Sequence, residues 1–236
     1  MPTAKTYVLV HGAFHGGWVW DTLALEMRAR GHRVFTPTLT GCGERADLLS
    51  PQITIDTFVK DVMQVFTEND LHDVILVGHS FGGLSISGCA DRIPERIRQL
   101  VFLDSLILEN GCSTFGELPP DILAERKEAT RASGGLSIPA PPASYFGVTE
   151  VAQVAWVQER LTPQPFSTYL SPIVLNHAVG NGLPSVYMEC TDPLIRSLGP
   201  TRDWVRQQKM TRIELKTGHN AMLTATQELC HLLCAY

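Results

Sequence analysis

Six short apolar runs punctuate the chain, at 6–10, 32–35, 74–77, 97–103, 184–189 and 210–215. The run at 74–77, Val-Ile-Leu-Val, is β-branched and aliphatic with no polar residue. That pattern predicts a strand buried on both sides, as in a parallel sheet, and the other five runs read as further strands. Between them the period lengthens. Residues 18–30 read as an amphipathic helix stopped by Gly31. In 53–68, Ile55, Phe58, Val59, Val62 and Phe66 fall on one helical face. A small-residue segment at 83–90 and a closing segment at 226–233 predict two more helices. Alternating strands and helices imply a six-stranded, mostly parallel α/β sheet with right-handed crossovers. Its functional edge lies at the carboxyl ends of the strands.

The interval 106–183 breaks the alternation. It holds Pro119-Pro120, Gly134-Gly135 and a P-A-P-P stretch at 139–142, with helical patterns around 121–132 and 148–161. A structureless loop of that length is implausible in a compact domain. The expectation is a core of 1–105 and 182–236 with a helical lid of 106–181 inserted into it. Phe115, Leu118, Tyr145, Phe146, Trp156, Phe166 and Tyr169 are its candidates for a pocket wall, and the sequence alone does not separate them from residues that hold the lid together.

The run at 74–77 leads at once into Gly78-His79-Ser80-Phe81-Gly82, followed by the small-residue helix. Strand, G-x-S-x-G and helix predict a sharp turn that holds Ser80 in a strained backbone and projects its hydroxyl over a helix N-terminus. A serine needs a base. His219, beside Gly218 in the loop after the last run, is the best placed of eight histidines. His11 and His15 sit in a Gly-rich loop after the first run, where a structural or pocket-lining role outweighs metal binding. The base needs an acid to orient it. Asp104 ends the fourth run and Asp192 follows the fifth, and the residues themselves leave both open. Asp73, Asp91 and Asp203 read as exposed charges.

Composition narrows the partners. With 236 residues, 44% hydrophobic and 18% charged, the chain suits one globular domain. A net charge of -5 disfavours nucleic acid. No apolar run approaches a membrane span, and the start M-P-T-A-K-T has no signal-peptide core, so a cytoplasmic protein is expected. The six cysteines match no zinc spacing; Cys89 and Cys190 read as buried thiols, and Cys230 and Cys234 lie one helical turn apart. No metal or organic cofactor is expected.

The segments V-L-V-H-G-A-F-H-G-G-W, T-L-T-G-C-G-E-R, G-H-S-F-G-G, V-F-L-D-S, Y-M-E-C-T and T-G-H-N-A-M-L-T together resemble the α/β-hydrolase branch of plant methyl-ester hydrolases, hydroxynitrile lyases and related bacterial esterases. The resemblance implies an α/β-hydrolase fold, Ser80 as nucleophile, His219 as base, and the amides of Ala13 and Phe81 as an oxyanion hole. Gly12, Phe14 and Trp156 are the expected pocket residues. At the acid the chain departs from the plant pattern: Asp192 stands one residue early, before Pro193, whereas Phe102-Leu103-Asp104-Ser105 is similar to the bacterial form. Asp104 is therefore favoured. The lyases carry threonine where Gly12 stands and lysine where Asn220 stands, which argues against cyanohydrin cleavage. The implied activity is hydrolysis of a small, largely apolar ester, or a related carbamate or amide, through an acyl-serine. Lyase or perhydrolase chemistry in the same pocket, or ligand binding with little turnover, are the alternatives. The branch also suggests a homodimer.

Overall fold

Side chains along each central strand alternate between two cores. The computed structural model describes residues 4–208 and 210–236. In β1 (Thr6–Val10), Val8 and Val10 enter one core, and Tyr7 and Leu9 the other. After β2 (Arg33–Phe35), the strand β3 (Val74–His79) does the same, with Val74 and Leu76 opposite Ile75 and Val77. Period-2 alternation with both faces apolar is why these runs looked uniformly hydrophobic. β4 (Ile97–Leu103) follows, then a two-residue antiparallel pair, β5 (Ser137–Ile138) with β6 (Gln164–Pro165). β7 (Ser185–Cys190) and β8 (Thr211–Leu215) complete a parallel six-stranded sheet in the order β2-β1-β3-β4-β7-β8.

Helices cover both faces. α1 (Asp21–Ala29), reached through a 3-10 turn at Gly17–Trp20, buries Leu23, Ala24 and Met27 against the Tyr7 and Leu9 face. α2 (Ile55–Glu68) and α3 (Gly82–Arg92) cover the other face. The Thr54 amide donates to Thr57 Oγ1 at 3.1 Å, which caps α2. α2 and α3 meet without a spacer: a Cβ on Gly88 would lie 2.4 Å from Val59 Cγ2.

The segment between β4 and β7 carries α4 (Thr114–Glu117), α5 (Pro120–Ala129), α6 (Val151–Gln158) and α7 (Ser167–Leu170). It is not a detached cap. Ile138, Phe146, Tyr169, Ile173 and Leu175 are buried in the same core as β1, α2 and α3. Its last stretch is fastened by Asp91, expected as an exposed charge but only 8% exposed. Its carboxylate accepts from the amides of Asn176 and His177 at 2.8 and 2.9 Å. Beyond β7, α8 (Gly199–Gln207) is a helix that the hydrophobic pattern did not predict. α9 (Ala221–Thr224) and α10 (Thr226–Cys234) close the α1 side. Among the described residues no helix is long and apolar enough to cross a membrane.

The Gly88 contact predicts that Gly88→Ala lowers unfolding stability by about 1–3 kcal/mol through overpacking. Urea titration checks this. Adding Val59→Ala should recover part of the loss, because the two positions share the space.

Candidate active site

β3 ends by reversing into α3 across two residues, Ser80 and Phe81. Ser80 sits there with φ +52°, a left-handed conformation that non-glycine residues rarely hold. Such a residue costs on the order of 1–3 kcal/mol and persists only where its surroundings impose it. Here they do. The Ser80 amide donates to the Leu103 carbonyl at 3.1 Å, and its carbonyl accepts from Gly83 and Leu106 at 3.1 and 2.9 Å. The glycines are steric necessities: a Cβ on Gly82 would lie 2.7 Å from the His11 carbonyl, and one on Gly78 would lie 2.8 Å from the Gly82 carbonyl.

The neighbouring strand supplies a carboxylate at the same level. Asp104 follows β4, fully buried, with φ +39°. Its amide donates to the Met188 carbonyl at 2.7 Å. Its two oxygens face different partners. Oδ2 lies 2.6 Å from His219 Nδ1, and Oδ1 accepts from Arg202 Nη2 at 3.1 Å. His219 stands in the loop after β8, its carbonyl bonded to His79 Nε2 at 2.9 Å. With Nδ1–H committed to Asp104, the imidazole lone pair is on Nε2. Asp192, the other candidate acid, is exposed, and its amide donates to Thr217. The structure thus brings Asp104 and not Asp192 to His219. The Ser80 hydroxyl has no hydrogen bond to His219, although both residues border one cavity. Catalytic hydrogen bonds are often long without substrate.

Arg202 was not anticipated. It is 5% exposed on α8, donates to the Ile195 carbonyl at 2.7 Å, and brings Nε within 3.3 Å of Glu189. The signal was present in its spacing, since Leu198, Thr201, Arg202 and Val205 share one helical face and are all buried.

The loop after β1 is held by two buried histidines. His11 Nε2 accepts from the Leu39 amide at 3.0 Å, and His15 Nε2 accepts from Asn220 Nδ2 at 3.0 Å. Their Nδ1–H groups donate to the Gly12 and Ala13 carbonyls at 2.8 and 2.7 Å. Both rings are therefore neutral, and neither faces a metal site. Among the described residues no group of three His, Cys, Asp or Glu is placed to hold a metal ion. Gly12 packs against the elbow so closely that a Cβ there would lie 2.7 Å from Ser80 Cβ. Phe14 takes φ +69°, and its amide donates to Gln164 at 3.1 Å. The amides of Ala13 and Phe81 have no acceptor among the described residues, and both residues border the cavity that reaches Ser80.

A model of the alpha/beta hydrolase family matches residues 7–232. The chain belongs to the α/β-hydrolase family. A carbendazim hydrolyzing esterase of Nocardioides sp. is 42% identical over 97% of this chain and 98% of its own. Methylesterase 7 of Arabidopsis thaliana is 27% identical over 97% of this chain and 95% of its own. Among solved structures, an extracellular α/β-hydrolase of a Paenibacillus species, described as sharing structural and functional homology with tobacco salicylic acid binding protein 2, has a TM-score of 0.86 at 27% identity and covers 98% of both chains.

In this α/β-hydrolase the cavity over Ser80 has a volume of about 60 Å³. Of the aromatic candidates in the insertion, Tyr145, Phe146 and Tyr169 reach its wall. Trp156 does not, which corrects the expectation. It packs edge-on against Trp18 at 5.2 Å and beneath the Arg160 guanidinium at 4.5 Å. Phe115 and Phe166 pack on each other at 5.3 Å and hold the insertion together. Arg126, unremarked in the sequence, borders the cavity with its guanidinium 5.4 Å from the Phe14 ring.

Burial lowers His11 to about 4 and His15 to about 3, from an ordinary 6.5. Protonation would also set an Nε2–H against the Leu39 or Asn220 donor. The unfolded chain takes up these protons near pH 6.5 and the folded chain does not, so stability is full above that pH and falls toward pH 4. Chemical denaturation from pH 7 to 4 should show this decline. His15→Gln should reduce its slope by about 1.4 kcal/mol per pH unit, one proton's worth.

Proposed function

We propose that the protein is a serine esterase that hydrolyses small, largely apolar carboxylic esters through an acyl-Ser80 intermediate. The observation that carries this reading is the buried Asp104–His219 bond of 2.6 Å beside the cavity that Ser80 borders. The esterase and methylesterase relatives support the same reaction class.

The proposed chemistry follows from the placement. His219 Nε2 takes the Ser80 proton as the hydroxyl attacks the ester carbonyl. Asp104 holds the ring in the required tautomer and stabilises the imidazolium, while Arg202 keeps the carboxylate in position. The amides of Ala13 and Phe81 receive the oxyanion, each worth about 3 kcal/mol when such donors are preorganised. The imidazolium then protonates the departing alkoxide. Water, deprotonated by the same histidine, releases the acid and restores Ser80. Lyase chemistry is less well supported, because Asn220 is committed to His15 and no cation stands in its place. Buried reduced thiols at Cys42, Cys89 and Cys190 support a reducing, cytoplasmic setting.

A p-nitrophenyl ester panel, acetate to octanoate, should be turned over by wild type and not by Ser80→Ala. Loss of neither activity nor chain-length preference in that variant would remove the proposal. Asp104→Asn should lower kcat by about 10³–10⁴-fold, whereas Asp192→Asn should stay within about twofold. The reverse order would assign the acid to Asp192.

A further inference from the structure

Beside the reaction cavity lies a second chamber of about 140 Å³. The two share a neck formed by Leu106, Thr114, Leu118 and Ser197. Beyond the neck the wall is mainly apolar, from Ile107 and Leu108 to Pro200 and Trp204 on α8. Two of its polar groups are occupied: Thr201 Oγ1 accepts from the Ile107 amide at 3.2 Å, and Glu109 accepts from Trp204 Nε1 at 3.1 Å. Thr114 differs. It is 3% exposed, and its hydroxyl is buried with no partner. A buried unpaired hydroxyl in a native protein calls for an explanation.

We infer that the distal chamber binds the acyl part of the substrate, with Thr114 bonding a polar atom of that part at the neck. This rests on the esterase reading of Ser80. The departing alkoxide must stay beside His219, which protonates it, and His219 borders only the reaction cavity. At about 60 Å³ that cavity suits a short alkoxy group. An apolar cavity of about 150 Å³ takes up a benzene ring, and the distal chamber matches that size while the reaction cavity does not. The substrate class is therefore a short-chain alkyl ester or carbamate. Its acyl side carries an ether oxygen or N–H near the carbonyl and a single ring beyond it.

The test compares methyl acetate, methyl phenoxyacetate and methyl 3-phenylpropanoate by pH-stat, with p-nitrophenyl acetate as reference. The last two methyl esters differ in one position, oxygen against methylene. Wild type should favour the ring esters over methyl acetate by tenfold or more in kcat/KM. Leu108→Trp, which fills the chamber, should raise KM for both ring esters at least tenfold and leave methyl acetate within about threefold. Thr114→Val should lower kcat/KM about fivefold for the phenoxyacetate and leave the phenylpropanoate unchanged. Should Leu108→Trp fail to fold, Trp204→Ala decides: the enlarged chamber should accept methyl 2-naphthyloxyacetate at least tenfold better than wild type does. Equal effects on small and ring esters, or no effect of either chamber variant, would overturn the assignment. So would turnover of p-nitrophenyl acetate without turnover of any methyl ester, which leaves the esterase reading standing. No turnover of any ester would instead sink that reading.

Discussion

A carboxylate with no access to water governs this structure. Asp104 is fully buried, and a buried charge is tolerated only when it is paired and hydrogen-bonded. The chain meets that demand from two directions: Arg202 on α8 takes one oxygen and His219 after β8 takes the other. The Asp104 backbone is fixed separately, its amide donating to the Met188 carbonyl on β7. Arg202 in turn lies against Glu189, whose other oxygen lies 3.5 Å from Arg212 on β8. The carboxyl end of the sheet is thereby tied to α8 and to the histidine loop. Deleting one partner would leave an uncompensated charge in a dry interior, so these elements are fixed relative to one another.

The elbow and the first loop are fixed by a different means. Ser80 is held in a left-handed conformation by backbone bonds to β4 and to the segment beyond it. The loop after β1 leans on neutral histidines that act as hydrogen-bonding struts. His79, also buried and pushed well below the ordinary histidine range mainly by burial, braces the His219 backbone. Among four histidines close together, His219 alone has Nδ1 against a carboxylate. The division of labour comes from the partner each ring meets, since the residue type is the same.

The sheet was readable in the sequence because its signal is local. A run of five or six apolar residues between turn signals needs no long-range information, and the six predicted runs match the six strands of the sheet to within about two residues at each end. Ser80 was readable for the same reason, as the motif, the strand and the helix are contiguous. Choices between distant residues were harder. Asp104 and Asp192 both follow strands, and only the fold shows which one faces His219. Asp91 and Trp156 were misplaced because exposure depends on what the insertion covers. β5 and β6 are two residues each, too short to carry a period.

The central claim is a shared acyl-Ser80 intermediate. Its most direct test is partitioning. Esters with one acyl group and several different alcohols are turned over in the presence of added methanol, and the ratio of methyl ester to free acid is measured. A common acyl-enzyme predicts one ratio for every leaving alcohol. A ratio that varies with the leaving alcohol would mean direct attack by water or methanol, and would contradict the account.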